Sequence, residues 1–293
     1  SKPYRRRPAA PFMTSTLQQE ASGRLGFSAS RTMGAAQKLY EEGHITYMRT
    51  DSTTLSADAL SAARTLIRER FGQDQLPADA RSYNKKVKNA QEAHEAIRPA
   101  GDAWREPSDL GFKGDKADSD QARLYQLIWS RTIASQMNDA EGQTVTIRLA
   151  ASPLDFDEVE FGTSGTIITS PGFRAVYGQR SDESDEAERE LPNLSEGDAL
   201  IATSLESKDH QTKPPARYTE ATLVRQLEEL GVGRPSTYAS ILGTIQSRGY
   251  VWKKGQALVP ALTAFATVGL MEKYLPHLVD YALTASMEDD LAQ

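Results

Sequence analysis

Gly43-His-Ile-Thr-Tyr-Met-Arg-Thr-Asp-Ser52 is the most informative stretch of the sequence. Its apolar start predicts a short extended run, and its hydroxyl-rich end predicts a polar loop. Residues two apart in an extended run point to the same face, so Tyr47 and Arg49 are expected to lie side by side. A tyrosine hydroxyl, with a pKa of about 10, becomes a useful nucleophile when a nearby cation stabilises the phenolate.

The same residues also have a structural interpretation. Tyr47 can be a buried strand residue and Arg49 a surface ion-pair partner, because Tyr-x-Arg is common in proteins. Thr46, Thr50 and Asp51 add hydroxyls and a carboxylate that can hold a backbone phosphate or orient the arginine. The stretch alone leaves both interpretations open.

On either side of this stretch, the first ~140 residues are mainly helical by pattern. Ser30 or Thr32 is predicted to cap a helix that runs to Glu42. Ser56 is predicted to cap a second helix, and a third is predicted from Asp120 to Met137. The tyrosine stretch therefore joins two predicted helices.

The middle of the chain changes to β-like patterns separated by Gly and Pro. An acidic segment, Asp182 to Glu190, interrupts them and is predicted to be a loop or insertion. The predicted strands are Gln143–Ala150, Glu158–Phe161, Thr163–Thr169, Phe173–Tyr177 and Asp198–Leu205.

Helical patterns return in the last third. Thr219 and Ser236 are predicted to cap two successive helices, and a hairpin is predicted around Lys253-Lys-Gly-Gln256. Two helices followed by a hairpin are the layout of a winged-helix-like module, which nucleic-acid binders often use.

Composition narrows the functional classes. The chain has 293 residues, which favours two or three domains, and no cysteine, which excludes disulfides and thiolate metal sites. The four histidines lack the spacing of a zinc motif, and no apolar run reaches the roughly eighteen residues of a membrane span. The net charge of −6 argues mildly against nucleic acid, but Lys2–Arg7 and Lys85–Lys88 are locally basic.

Several blocks in the same order resemble the bacterial type IA DNA topoisomerases, and the resemblance extends from about Pro11 to the end. Met48, directly after the tyrosine, is closer to the topoisomerase I branch than to topoisomerase III. The matching blocks are Pro11-Phe-Met-Thr-Ser-Thr-Leu-Gln-Gln19, Ala36-Gln-Lys-Leu-Tyr-Glu41, Gly43 to Ser52, Ala90-Gln-Glu-Ala-His-Glu-Ala-Ile-Arg-Pro99, Lys213-Pro-Pro-Ala-Arg217 and Gly233-Arg-Pro-Ser-Thr-Tyr-Ala239.

The resemblance implies three catalytic residues. Tyr47 matches the tyrosine that attacks a DNA phosphate and becomes joined to the 5′ side of the break. Arg49 matches the arginine that positions this phosphate, where a fixed guanidinium counters developing charge. His94 matches a histidine near the phosphate, although a lone histidine is more often structural.

The resemblance also implies a set of DNA contacts. Arg98 is either a phosphate contact or an ion-pair partner of Glu95, and Ser236 can be a helix cap as well as a contact. The residues expected to bind DNA are Gln37, Glu41, Thr46, Thr50, Asp51, Arg98, Arg234, Ser236 and Thr237.

The fold expected from the resemblance is an α+β arc of three parts. Residues 8–133 form a helical domain with the catalytic tyrosine, and residues 134–204, with 1–7, form a β-rich hinge domain. Residues 205–293 form a truncated helical, winged-helix-like domain that contacts DNA. The chain starts without Met and ends in a predicted helix, so it is expected to be a piece of a longer protein.

The resemblance implies a Mg²⁺-binding Toprim domain, which precedes the matching region in the family. No Asp-x-Asp-x-Glu cluster is found in the sequence, so no metal ligands are assigned and no ion is expected on this piece. The piece alone is expected to be inactive. No phosphate-binding Gly-x-x-x-x-Gly-Lys-Ser/Thr loop is found, in keeping with resealing that needs no ATP.

The expected partners are single-stranded or negatively supercoiled DNA and the missing Toprim domain, with no membrane. The expected location is the cytoplasm, on the nucleoid. Three alternatives remain: a topoisomerase III or reverse-gyrase-like enzyme, a silent single-stranded DNA-binding module, and an unrelated helical protein with a chance motif.

Overall fold

The computed structural model of the chain describes residues 1–83, 95–102, 104–111, 119–151, 158–177 and 191–291. Their regular structure is mixed, which confirms the predicted α+β class. The helices are α1 Thr14–Leu25, α2 Ala29–Glu41, α3 Ala57–Phe71, α4 Asp120–Ser135, α5 Glu220–Leu230, α6 Tyr238–Ser247, α7 Leu262–Tyr274 and α8 Tyr281–Asp290. The strands are β1 Lys2–Arg6, β2 Ala140–Ala151, β3 Val159–Ser170, β4 Val251–Lys254 and β5 Ala257–Pro260.

Helices α1 to α4 share one apolar core. Leu17 of α1, Leu39 of α2, Ile67 of α3 and Ile128 of α4 are fully buried in the same cluster. Burial of such side chains stabilises the fold by roughly 1.5–3 kcal/mol each. This core is the support on which the tyrosine stretch lies, because Ile45 is buried in it as well.

The helix starts follow their capping side chains. The hydroxyl of Ser56 accepts a hydrogen bond from a first-turn N–H of α3, as predicted. The prediction for α2 was wrong by a few residues, because Ser28 is its cap and Ser30 and Thr32 lie inside the helix. Ser28 and Ser30 have the same hydroxyl side chain, so residue type alone does not show which of the two caps the helix.

The β-rich part is a three-stranded antiparallel sheet in the order β1-β2-β3. Lys2 pairs with Thr144 and Arg6 with Ala140, so the start of the chain forms an edge strand. The register slips between Glu141 and Gly142. Gly142 is required there, because a Cβ at this position would collide with the carbonyl of Ile167 in β3.

A buried carboxylate joins this sheet to the helical core. Asp139, just before β2, accepts hydrogen bonds of 2.6 Å from Arg5 of β1 and 2.6 Å from Arg81. Its side chain is only 2% exposed, and a carboxylate so buried needs cationic partners. The two arginines therefore fix the first strand against the helical part.

Two strand predictions in this region are confirmed as strand but not as separate strands, and a third is wrong. Glu158–Phe161 and Thr163–Thr169 form the single strand β3 rather than two short ones. Phe173–Tyr177 belongs to a 3₁₀ helix that starts at Gly172, where a φ of 51° turns the chain out of the extended conformation.

Asp198–Leu205 has no regular structure, so that strand prediction was wrong. Ile201 is 91% exposed and Leu205 80% exposed, and no described strand pairs with this run. An alternating pattern without a partner strand cannot form a sheet. The predicted acidic loop, Asp182 to Glu190, lies outside the described residues.

Helices α5 and α6 and the β4–β5 hairpin follow in the predicted order. Thr219 caps α5 as expected, and Gly231 ends it in the left-handed conformation. The cap predicted for α6 was wrong, because the helix begins at Tyr238 after Thr237 and not after Ser236. Their small core includes Val224, Tyr238 and also Ala29, the first residue of α2.

A carboxylate reinforces this junction. Glu220 of α5 accepts a hydrogen bond of 2.7 Å from the N–H of Ala29, forms an ion pair with Lys253 and accepts a bond from Gln246. A negative charge at the start of α2 also complements the helix dipole. Among the described residues, no helix is both long enough and apolar enough to cross a membrane.

Candidate active site

The segment from Ile45 to Thr50 places some side chains in the core and others outside it. Ile45, Met48 and Thr50 are 2%, 5% and 2% exposed, whereas Tyr47 and Arg49 are exposed. The segment pairs through one β-bridge between Ile45 and Pro99 and bends at Thr46 and Met48, so the predicted extended run is only partly formed. The tyrosine and the arginine therefore face outward from the same segment.

Tyr47 is 39% exposed, which contradicts the interpretation of this tyrosine as a buried strand residue. Its ring contacts that of Tyr40 on α2 edge to face, at a centroid distance of 5.3 Å. Burial raises the pKa of Tyr83, Tyr125 and Tyr238 to about 12. A phenol that ionises only at so high a pH is a poor nucleophile near neutral pH.

The guanidinium of Arg49 is exposed beside the tyrosine segment. No described residue forms an ion pair with it or accepts its hydrogen bond, so the predicted surface ion pair is not found in this part of the chain. An arginine without a protein carboxylate can present its fork of donors to an anion.

Gln37 and Glu41 lie one turn apart on the exposed face of α2, as their spacing predicts. The amide Nε2 of Gln37 donates a hydrogen bond of 2.8 Å to Oε1 of Glu41. Tyr40 lies on the same face of α2, and its ring contacts that of Tyr47. The two predicted DNA contacts thus adjoin the candidate nucleophile.

Thr46 and Thr50 use their hydroxyls inside the protein. The Thr46 hydroxyl donates to the carbonyl of Ala96 at 2.7 Å and accepts from the N–H of Arg98 at 3.0 Å. The Thr50 hydroxyl accepts from the N–H of Ser52 at 3.0 Å. Both hold the segment in place, and their proposed contacts with DNA remain predictions.

Asp51 and Arg234 both line a cleft of about 360 Å³. Thr50 and Tyr238 of α6 line the same cleft. Burial, followed by the charge of Glu228 and a contribution from Asp51, raises the pKa of Tyr238. Three predicted DNA contacts from distant parts of the sequence thus come together.

The guanidinium of Arg234 already has protein partners. It donates to the carbonyl of Gly233 at 2.9 Å and to Oδ1 of Asp289 at 2.8 Å. The hydroxyl of Thr237 accepts from the N–H of Arg234 at 2.8 Å, and Ser236 is exposed on the same turn. A DNA phosphate that binds the Arg234 guanidinium would have to share it with Asp289 or displace that carboxylate.

For Arg98, the ion-pair alternative is present in the structure. Its Nε donates to Oε2 of Glu95 at 2.7 Å, and its Nη1 donates to the carbonyls of Pro99 and Gly101. The side chain is only 10% exposed. This geometry favours a structural role, and the phosphate contact stays a prediction without support from it.

His94 lies outside the described residues, so its predicted place beside Tyr47 is not seen. Within the described ranges, no group of three or more His, Asp or Glu side chains is placed to hold a metal ion. The carboxylates near Tyr47 do not form an octahedral oxygen site, and Glu41 is engaged by Gln37.

Two residues of the site escape prediction from the sequence. Tyr40 lies at helical spacing from Ala36 in the block Ala36 to Glu41, but it is 43% exposed and contacts Tyr47. Thr14 is fully buried and bonds to the backbone on both sides of Arg49. The block Pro11 to Gln19 is the only sequence signal for Thr14, since its partners lie more than thirty positions away.

A family model described as DNA topoisomerase matches residues 1–293. The DNA topoisomerase 1 of Streptomyces coelicolor is 58% identical over 295 residues, which cover 99% of this chain and 30% of that protein. The DNA topoisomerase 1 of Mycobacterium tuberculosis H37Rv is 56% identical over 99% of this chain and 32% of that protein.

A solved structure agrees with the sequence relatives. Full-length topoisomerase I from Thermotoga maritima is 36% identical and superposes with a TM-score of 0.75, covering 99% of this chain and 46% of that one. The chain therefore spans less than a third of the two bacterial relatives and about half of the solved structure.

Proposed function

The chain belongs to the DNA topoisomerase family, and from that premise we propose that its parent protein is a type IA DNA topoisomerase. It would break one DNA strand, pass another through the break and reseal it, which relaxes negative supercoils. The observation that carries the proposal is the exposed pair Tyr47 and Arg49 on one outward-facing segment.

The reaction is a transfer between two oxygens of one phosphodiester. The Tyr47 phenol oxygen attacks the phosphorus, a new P–O bond to tyrosine forms, and the P–O3′ bond breaks. The phenol loses its proton, the departing 3′ oxygen gains one, and the 5′ phosphate stays on Tyr47. Resealing is the reverse step, and because one phosphoester replaces another, no ATP is consumed.

Arg49 is proposed to bind the non-bridging oxygens of the scissile phosphate. Its planar fork matches two phosphate oxygens, and its charge offsets the negative charge that builds up in the transition state. His94 is proposed to donate a hydrogen bond to the same phosphate or to relay a proton. Support for His94 comes from its sequence block alone.

The remaining predicted contacts are proposed to guide the single strand. Gln37 and Glu41 extend the Tyr47 surface along α2, and the Asp51–Arg234 cleft is proposed to hold the strand farther along. The three-stranded sheet is proposed to be the hinge about which the tyrosine part lifts.

Magnesium is proposed to be bound by a Toprim domain outside these 293 residues. The short coverage of the relatives supports this, because the chain spans only 30% of the Streptomyces coelicolor protein. We also propose that the parent works on the nucleoid in the cytoplasm, because chromosomal DNA is the substrate of the chemistry assigned to Tyr47.

Relaxation of a negatively supercoiled plasmid tests the proposal. The full-length protein should relax it with Mg²⁺ and without ATP, and Tyr47→Phe should not. These 293 residues alone should leave the plasmid supercoiled. Relaxation by Tyr47→Phe, or no relaxation by the full-length protein, would contradict the proposal, and the second result would favour a silent DNA-binding module.

Efficient decatenation or positive supercoiling would instead point to the topoisomerase III or reverse-gyrase alternative. The relatives named above are called DNA topoisomerase 1, not topoisomerase III or reverse gyrase, and this supports the relaxation proposal.

A further inference from the structure

We propose that Thr14 is the positioning residue of the active site, and that its hydroxyl holds Arg49 in the place where the guanidinium meets the scissile phosphate. The inference rests on the proposed function, because the reaction is the one assigned to Tyr47 and Arg49. It adds a residue that makes no contact with DNA itself.

Thr14 holds the backbone on both sides of Arg49. Its Oγ1 lies 2.8 Å from the carbonyl oxygen of Met48, 3.0 Å from that of Thr50 and 2.8 Å from the N–H of Thr50. Its own N–H donates to the carbonyl of Thr50 at 2.9 Å. The residue between these anchors, Arg49, is the one whose side chain points outward.

The hydroxyl is fully used. It has one proton, which can be donated to only one carbonyl at a time, and the shorter contact is with Met48. Its lone pairs accept the N–H of Thr50. Thr14 is completely buried, so water cannot replace these bonds if the hydroxyl is removed.

The support behind Thr14 is rigid. It is the first residue of α1, whose Leu17 and Ala21 are buried in the helical core together with Phe12. The carbonyl of Phe12 also accepts the N–H of Ile97, in the strand-like segment that pairs with the tyrosine segment. Thr14 therefore transmits the position of a core helix to the backbone of Arg49.

The start of α1 and the loop hold each other, because the first-turn N–H of Thr14 donates to the carbonyl of Thr50. The N–H of Met13 already donates to the hydroxyl of Thr16 at 3.1 Å within the same turn. The side-chain bonds of Thr14 cross to the loop instead, 34 to 36 positions away. This direction of the hydroxyl favours positioning of the loop over capping of α1.

The test uses the full-length enzyme and the rate at which it forms a covalent adduct with a saturating single-stranded oligonucleotide. Thr14→Val removes the hydroxyl with little change in shape and should slow adduct formation about 10- to 100-fold, the cost of misplacing a catalytic group by about an ångström. Thr14→Ser keeps the hydroxyl and should stay within about twofold of wild type.

Thr132→Val is the matched control. Thr132 is also fully buried and donates one hydrogen bond of 2.8 Å to a carbonyl, that of Ile128, but it lies on α4 in the core. Its substitution should leave the adduct rate within about twofold of wild type. An equal slowing by Thr132→Val would show that any buried hydroxyl matters, and it would overturn the inference.

A double substitution separates positioning from general damage. In the Arg49→Lys background, Thr14→Val should change the adduct rate by less than about twofold, because the guanidinium that Thr14 positions has already been removed. The same 10- to 100-fold slowing in both backgrounds would show that Thr14 does not act through Arg49.

If Thr14→Val does not fold, Thr14→Ser decides, because a loss of activity in a variant that retains the hydroxyl overturns the inference. Failure of the proposed function looks different. In that case wild type forms no adduct through Tyr47, whereas failure of this inference leaves wild type active and Thr14→Val equally fast.

Discussion

The rings of Tyr40 and Tyr47 meet edge to face, with their centroids 5.3 Å apart and their planes at 69°. Tyr40 is on helix α2 and Tyr47 is on the extended segment that follows it. The two residues remain 43% and 39% exposed, respectively. The candidate nucleophile is therefore supported on one side by a helix and open to solvent on the other.

Replacing Tyr40 by Leu is expected to slow adduct formation in the full-length enzyme. An aromatic pair contributes about 0.5–1.5 kcal/mol beyond its buried area, which corresponds to about 2- to 10-fold in rate if the contact orients Tyr47. Tyr40→Phe keeps the ring and should match wild type. Single-turnover cleavage of a single-stranded oligonucleotide measures the effect.

Tyr274→Leu is the control for this series, since Tyr274 is an exposed tyrosine on α7, at 64% exposure. It should cleave at the wild-type rate. A Tyr40→Leu enzyme as fast as wild type, or a Tyr40→Phe enzyme as slow as Tyr40→Leu, would show that the edge-to-face contact plays no part.

Local sequence signals predicted much of the fold. Ser56 and Thr219 were predicted as caps because a hydroxyl before an apolar period satisfies free N–H groups at a helix start, and both do so. The alternating run Gln143–Ala150 lies in β2, where Arg148 and Leu149 point to opposite faces. These signals act over a few residues.

The failures involve contacts between distant residues. Nothing near Asp198–Leu205 shows that a partner strand is missing, and the alternating pattern alone predicted a strand. Tyr40 follows the period of the α2 core, but Tyr47 of the next segment lies against it on the exposed side. The partners of Thr14 are equally remote, so only coordinates identify its role.

Within the site, Gln37 and Glu41 lie one turn apart as their spacing predicts, and Tyr47 and Arg49 are both exposed. The cleft shared by Asp51 and Arg234 could not be derived from spacing, because 182 positions separate the two residues and only tertiary packing joins them. Residue type also cannot show that a guanidinium such as that of Arg98 is already occupied.

Arg98 is predicted to support folding rather than DNA binding. Arg98→Gln removes a mostly buried partner of Glu95 and should lower the free energy of unfolding by about 2–3 kcal/mol. Affinity for a single-stranded oligonucleotide should keep its salt dependence, because a lost phosphate contact would reduce the log–log slope by about one. Chemical denaturation and binding titrations at several salt concentrations measure both quantities.

Arg148→Gln is the comparison for Arg98. Arg148 is 74% exposed and lies 3.6 Å from Glu160, and such surface pairs contribute about 0–1 kcal/mol. The free energy of unfolding of the Arg148→Gln protein should equal that of wild type within measurement error. A stable Arg98→Gln protein with a shallower salt slope would assign Arg98 to the phosphate backbone instead.

Glu220 makes the junction between α2 and α5 sensitive to pH. Burial alone would raise the pKa of its carboxyl, but the Lys253 ion pair and the N–H of Ala29, with Gln246, together lower it. A carboxyl whose pKa is lower in the folded state contributes stability above its unfolded pKa, and this contribution is lost as the pH falls through the folded value.

Glu220→Gln should therefore destabilise this chain by about 2 kcal/mol near neutral pH. The difference from wild type should shrink as the pH falls below the unfolded Glu pKa of about 4.3 and then through the lower folded pKa, where the wild-type carboxylate also becomes protonated. Glu229→Gln, which removes the exposed partner of Arg225, is the control and should have little effect at any pH. A Glu220→Gln difference that is constant with pH would rule out the carboxylate charge as its cause.

Tyr47 as the nucleophile is tested most directly by mapping the covalent link. The full-length enzyme is trapped on a single-stranded oligonucleotide labelled on either side of the break, digested with protease and analysed by mass spectrometry. We expect one adduct, a phosphate of the 5′ side joined to the peptide that contains Tyr47, and none with Tyr47→Phe. An adduct on another residue, on the 3′ side, or in Tyr47→Phe would contradict this expectation.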